Sequence, residues 1–247
     1  AWSETFIANH IAHLPGVELV LTDGHLPRRD IDGEPLLAPT LIKRVLQRVR
    51  KADPQDMLRG TIVRLLNKHR IDRVLAEYGP TGTAMIDVCE RAGIPLVAHF
   101  HGIDAFHAKL LKENGNYARL FGTAKAIVAV SREMEAQLLT LGCPRGKVYY
   151  NCYGIEVDRF ARADPAHSPK TFLAVGRFVE KKGFDQLIEA CALLRRDGVP
   201  FRCMIIGESG PALNDIRQRI ERHGMDDHVQ LKGAVTQDEL RGFYAQA

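Results

Sequence analysis

The stretch that decides the fold is Phe172–Pro211, FLAVGRFVEKKGFDQLIEACALLRRDGVPFRCMIIGESGP. FLAV reads as a short buried strand. After Gly176 a turn carries Arg177, Lys181, Lys182 and Gly183. Phe184, Leu187, Ile188, Cys191 and Leu194 then recur at helical spacing, DGVP ends the helix, and FRCMII reads as a second strand. A strand, a crossover helix and a strand in succession form a βαβ unit, whose strands must pair in parallel. Open parallel sheets bind their ligands at the carboxyl ends of the strands. The turn places its cations there. Position alone is equally consistent with a solvated turn and with an anion site built from an Arg fork, a Lys point charge and close backbone approach at glycine.

Working outward, the same phrase occurs once more, as RAGIPLVAH at residues 91–99. Each copy runs helix end, Gly, branched apolar residue, Pro, strand. Toward the N-terminus, SETFIANHIAHL (Ser3–Leu14) opens on a capping Ser and stops at Pro15-Gly16, and VELVL suggests a strand. Residues 22–36 read as loop, and 38–69 as two basic helices divided near Asp53-Pro54. RVLAEYG, IPLVAHF, AIVAV and KVYYN read as strands. A helix burying Ala84, Met85, Val88, Cys89 and Ala92 ends at Gly93, and another is capped by Ser131 and closed by Gly142. The stretch YGIEVDRFARADPAHSPK lacks a period and reads as a linker. Beyond it come TFLAV, FRCMIIG, LNDIRQRIERHG, VQLKG and TQDELRGFYAQA as strand, strand, helix, strand and helix around the first crossover helix. The expected organisation is a first Rossmann-like domain at 1–153, a linker at 154–169 and a second parallel-sheet domain at 170–247. With about three strands and an open edge, the second is expected to be incomplete, and the chain a fragment whose first strand is also missing.

Composition excludes several classes. Hydrophobic residues make up 45% and charged residues 26% of the 247, as in an ordinary globular protein. A net charge of +4 is too weak to imply nucleic acid. The five cysteines are scattered without a CxxC pair, so neither a zinc ribbon nor a disulfide framework is indicated. No run approaches the roughly 18 apolar residues of a membrane span, and a cytoplasmic setting, with peripheral contact to a membrane's inner face, is expected.

VGRFVEKKGFDQLIEA, MIIGESGP and VQLKGAV, in this order and spacing, resemble the donor half of family-4 glycosyltransferases of the GT-B fold. The resemblance covers Phe172–Tyr244. It implies an α/β protein of two Rossmann-like domains that moves a sugar from a nucleotide-sugar donor to an acceptor hydroxyl with retention. The acceptor would be a saccharide or lipid-linked, as in bacterial polysaccharide or glycolipid synthesis. It further implies that Arg177 and Lys182, with Gly183, grip the donor diphosphate, that Gly207 in the GESG loop borders the nucleotide, and that Val235 lies against the base. No metal or other cofactor is implied, since fixed cations meet the leaving group. Family members carry two glutamates, seven residues apart, beyond the position of Ala247.

A second polar loop, HFHGIDAFH (His99–His107), follows the strand IPLVAHF. Two histidines two apart could share one face, and a metal site with His107 is conceivable; His99 also suits a satisfied core histidine. HGxD resembles the family segment bearing the active-site His, which makes His101 the candidate reaction-centre residue. Asp104 is a second candidate, or a cap for the following turn. SETFI resembles the opening of the first acceptor-domain helix in exopolysaccharide-type members, which would turn Ser3, Glu4 and Thr5 toward the acceptor. Lys43, Arg44, Arg48, Arg50, Lys51, Arg59, Arg64, Lys68 and Arg70 form either a solvated face or a contact for anionic lipid headgroups. A GT-B sugar-nucleotide epimerase would need clustered acid and base carboxylates. A nicotinamide dehydrogenase would show GxGxxG. A non-catalytic fragment that binds nucleotide or a partner chain is the third alternative.

Overall fold

A computed structural model describes residues 5–37, 53–161 and 170–247. The chain divides into two units, Ala1–Gly154 and Ile155–Ala247.

In the first unit, helix α1 (Thr5–His13) is followed by a two-residue antiparallel ribbon, β1 (Leu21–Thr22) against β2 (Arg29–Asp30). The strand expected across VELVL is thus reduced to its last residue. Leu19 and Leu21 still pack on the core, so the run serves as extended chain. Of the two basic helices expected over 38–69, the first falls in 38–52, outside the described residues. The second is α2 (Pro54–Lys68), started by the Asp53 carboxylate accepting from the Gln55 N–H, with Pro54 in the first turn. Its Leu58, Ile62 and Leu66 are buried along one stripe.

The sheet follows as β3 (Val74–Glu77), β4 (Leu96–Phe100), β5 (Ala126–Ala129) and β6 (Val148–Tyr150), all parallel and in chain order. Helix α3 (Gly79–Ala92) joins β3 to β4 and ends at Gly93, which takes the left-handed conformation (φ 68°) that a glycine adopts without penalty. A Cβ at Gly79 would stand 2.5 Å from the Phe100 ring, so the helix is drawn onto β4 at its first residue. Between β4 and β5 run three short helices the sequence pattern does not announce: α4 (Ile103–Phe106), α5 (Ala108–Glu113) and α6 (Ala118–Thr123). Asn116 and Tyr117 at positive φ break the chain between the last two, which leaves no segment long enough to show a period. Helix α7 (Arg132–Thr140), capped by the Ser131 hydroxyl accepting from the Met134 N–H, leads to β6.

The second unit pairs β7 (Thr171–Val175), β8 (Arg202–Ile206) and β9 (Val229–Lys232) in parallel and in order. Helix α8 (Phe184–Arg196) crosses from β7 to β8 and α9 (Leu213–Arg222) from β8 to β9. Helix α10 (Gln237–Tyr244) follows a capping box made by Thr236 and Glu239. Ile188, Ile205 and Met225 form the sealed centre. Cys191 and Cys203 pack there as small hydrophobes, and burial pushes the Cys203 thiol up to about 12. Among the described residues no helix is long and apolar enough to cross a membrane.

Candidate functional site

Polar residues gather at the carboxyl ends of both parallel sheets, and each unit carries its own cluster.

In the second unit, β7 runs out into Gly176 and Arg177. The GESG loop after β8 lies directly on this turn. A Cβ on Gly207 would fall 1.8 Å from the Gly176 carbonyl oxygen, and one on Gly210 would fall 2.3 Å from that of Phe178. Only glycine permits such contact, so the two loops are locked backbone to backbone. The Lys182 stem lies across Gly176, with Cε 3.3 Å from where a Cβ would stand. Its position next to Arg177 is therefore set by packing, while both side chains remain exposed. Among the described residues no carboxylate pairs with either cation. Gly183, at φ 64°, starts α8 with no side chain capping the first turn. The orphan N–H groups and the positive end of the helix dipole thus share the strand end with the two cations. The arrangement suits a polyvalent anion. Val235 lies half-buried just past β9, and Lys181 is exposed beside Lys182.

In the first unit, Glu77 ends β3 and collects three imidazoles. Its Oε1 stands 2.7 Å from His10 Nδ1, and its Oε2 stands 2.7 Å from His101 Nε2 and 3.4 Å from His99 Nδ1. Burial alone would raise the Glu77 pKa, but the hydrogen bonds from His101, His99 and His10 outweigh it and hold the carboxyl well below the usual carboxylate range. His101 Nδ1 meets the Tyr153 hydroxyl at 2.5 Å. Phe6 lies against the His101 ring at 4.4 Å and Tyr78 meets it edge-on at 4.6 Å. Tyr78 holds φ 76° and ψ 142°, a conformation that costs a non-glycine residue about 1–3 kcal/mol and collects at functional positions.

The residues singled out from the sequence fare differently. His101 sits in this box with its side chain only 2% exposed and both ring nitrogens engaged, so it does not present a free imidazole. Asp104 is fully buried and accepts from the backbone N–H groups of Gly79, His101 and Gly102. Of its two expected roles, the geometry supplies the cap: its oxygens accept from backbone donors. His99 is buried but not satisfied, since Nε2 has no partner. His107 is exposed in the turn between α4 and α5, away from any shared ligand set with His99 and His101. Among the described residues, the group able to offer a cation three ligand atoms is instead His10, Glu77 and His99, whose atoms lie within 4.8 Å of one another. Thr5 is exposed at the start of α1; Ser3 and Glu4 lie outside the described residues. Of the basic residues, Lys43, Arg44, Arg48, Arg50 and Lys51 lie outside them too, and Arg59 is drawn into an ion pair with Asp87 at 3.4 Å. Glu77, His10 and Tyr153 escaped the sequence reading. Glu77 alone carried a signal, a carboxylate at the carboxyl end of an apolar strand.

Residues 6–159 match the family model described as Glycosyltransferase Family 4, and residues 158–247 match that described as Glycosyl transferases group 1. The putative colanic acid biosynthesis glycosyltransferase WcaL of Escherichia coli (strain K12) is 31% identical over 184 residues, covering 72% of this chain and 45% of that protein. The amylovoran biosynthesis glycosyltransferase AmsK of Erwinia amylovora is 33% identical over 154 residues, 61% of this chain and 38% of that protein. The chain thus spans less than half the length of these curated relatives. Among solved structures, Anabaena Alr3699/HepE in complex with UDP and glucose superposes with a TM-score of 0.60 at 20% identity, over 76% of this chain and 54% of that one. A sucrose-phosphate synthase from Thermosynechococcus elongatus does so at 0.57 and 18%, over 79% and 55%. At these identities the likeness establishes the GT-B fold.

Proposed function

Because the chain belongs to glycosyltransferase family 4, with residues 6–159 matching that family, we propose that the complete protein transfers a sugar from a nucleotide-diphosphate donor to an acceptor hydroxyl in exopolysaccharide assembly. The observation that carries this reading is the turn after β7, where Arg177 and Lys182 stand exposed beside the uncapped start of α8.

In the reaction, the bond between the anomeric carbon and the diphosphate oxygen breaks, and its electron pair leaves with the nucleoside diphosphate. The acceptor oxygen forms the new bond on the same face of the sugar, so the configuration is retained, and its proton passes to the departing phosphate. Charge grows on the diphosphate as the bond lengthens. Cations and backbone donors fixed in advance stabilise that state more than the ground state. Arg177 offers a planar fork, Lys182 a point charge, and Gly183 with the first turn of α8 offers backbone N–H groups. This placement needs no metal at the leaving group. Gly207 brings the second loop close enough to border the nucleotide, and Val235 gives the base an apolar wall. UDP and glucose bound to the structural relative HepE favour a nucleoside diphosphate as the ligand. The acceptor is a saccharide or a lipid-linked saccharide, the latter with anionic membrane contact through the basic residues between Lys43 and Arg70. Thr5, with Ser3 and Glu4, is assigned to the acceptor side.

Incubation of the complete protein with UDP- and GDP-sugars and saccharide acceptors tests the proposal through release of nucleoside diphosphate and a glycosylated product. Lys182→Ala is expected to lower kcat by about 10²–10³, the usual loss on removing one such donor. Turnover within tenfold of wild type would contradict the role of Lys182.

A further inference from the structure

We propose that Glu77 is a positioning residue for His101: its carboxylate accepts from the imidazole Nε2–H and thereby aims Nδ1 at the Tyr153 hydroxyl. The catalytic consequence rests on the glycosyl-transfer reading above, with His101 as its reaction-centre residue; the placement itself does not. Glu77 spans the box with both oxygens, His10 on one and His101 on the other, each at 2.7 Å. A leucine or methionine would fill the end of β3 without taking a charge out of water. The carboxylate does what neither could: it fixes which nitrogen of the neighbouring imidazole carries the proton, and so the direction in which the other nitrogen acts. His10 braces Glu77 from α1, and His99 Nδ1 shares Oε2 with His101 at the longer distance of 3.4 Å against 2.7 Å.

Among the described residues, several groups face His101. Glu77 and Tyr78 come from β3 and its exit, His99 from β4, Tyr153 from the chain after β6, and the Asp104 carboxylate reaches the His101 backbone N–H. Phe6 closes the box from α1. Asp104 holds the loop and Glu77 holds the ring. His101 is thus fixed at backbone and side chain by two carboxylates, and the strained Tyr78 separates Glu77 from Gly79, one of the Asp104 donors.

Long-range proton–nitrogen spectra of the full chain labelled with ¹⁵N-histidine, assigned with His101→Gln, test the placement directly. His101 is expected to carry a proton on Nε2. A bare Nε2 with the proton on Nδ1 would overturn the proposal, as would coordination of added Zn²⁺ by Glu77 that displaces His101. In the complete protein, Glu77→Gln keeps the shape and an acceptor but loses the charge. It is expected to lower kcat by about 10–100-fold, the range seen when the partner orienting a metal-bound imidazole is lost, while the donor KM changes less than about threefold. Glu77→Asp is expected to recover part of that loss. A folded Glu77→Gln protein with unchanged kcat, or with the whole effect in KM, would overturn the proposal. If Glu77→Gln fails to fold, the wild-type spectra decide. If no nucleotide-sugar supports transfer, glycosyl transfer falls while the spectra still judge the placement of Glu77.

Discussion

Replacing Gly207 by alanine adds one methyl group at the point where the two loops of the second unit touch. The new Cβ would begin 1.8 Å from the Gly176 carbonyl oxygen, and a contact below 3.0 Å is essentially never found, so the gap must open by about 1.2 Å. No flexible side chain can absorb the motion, because the atom in the way belongs to the backbone. Gly176 is held by its N–H to the Ile206 carbonyl at 2.9 Å, and Gly207 by its N–H to that of Lys232 at 3.1 Å, so movement strains the end of the sheet. Forced overpacking of this kind costs about 1–3 kcal/mol. Arg177 follows Gly176 directly and must move with it. A displacement near 1 Å at a reacting group can cost about 100-fold in rate. Gly242, inside α10, supplies the control. A Cβ there meets nothing within 4 Å, so Gly242→Ala is expected to stabilise by about 0.5–1 kcal/mol through helix propensity. Thermal melting and calorimetric titration with UDP and GDP read both effects. A Gly207→Ala protein that melts at or above wild type and binds the diphosphate with full affinity would refute the locked-loop geometry.

Two further outcomes concern the first unit. Asp104→Ala leaves the N–H groups of Gly79, His101 and Gly102 without their acceptor in a fully buried place, and is expected to cost about 3 kcal/mol or more in chemical denaturation. A loss of activity with unchanged stability would instead favour Asp104 as a reacting group. The Glu77 carboxyl is held below its ordinary value near 4.5 in the folded chain. Its contribution to stability is therefore complete above that value and lost as the pH falls below it. Unfolding free energies of wild type and Glu77→Gln are expected to converge as the pH falls from about 5 to about 3; a constant difference across that range would contradict the assignment.

The parallel-sheet architecture was legible because it is written in local pattern. One βαβ crossover in each unit ends in Gly, a branched residue and Pro, and the spacing of Phe184, Leu187, Ile188 and Cys191 leaves one helix face for the core. The strand-end turn of Arg177 and Lys182 was legible for the same reason: strand and helix fix its place before any side chain is considered. The helices between His101 and Thr123 were not legible, being too short for a period to emerge. The box around Glu77 was least accessible. His10, Glu77, His101 and Tyr153 stand far apart in sequence and meet only because α1 and the chain after β6 both return to the carboxyl end of β3. Asp104 shows the opposite failure: HGxD marks the residue, but only the three backbone donors around it reveal its work.

The most direct test of the central claim is an amide proton–nitrogen titration of the full chain with UDP and with GDP. Saturable shifts concentrated at Gly176, Arg177, Lys182, Gly183 and Phe184, abolished when Arg177 and Lys182 are both replaced by alanine, are the expected result. Shifts elsewhere, or none with either diphosphate at millimolar concentration, would contradict it.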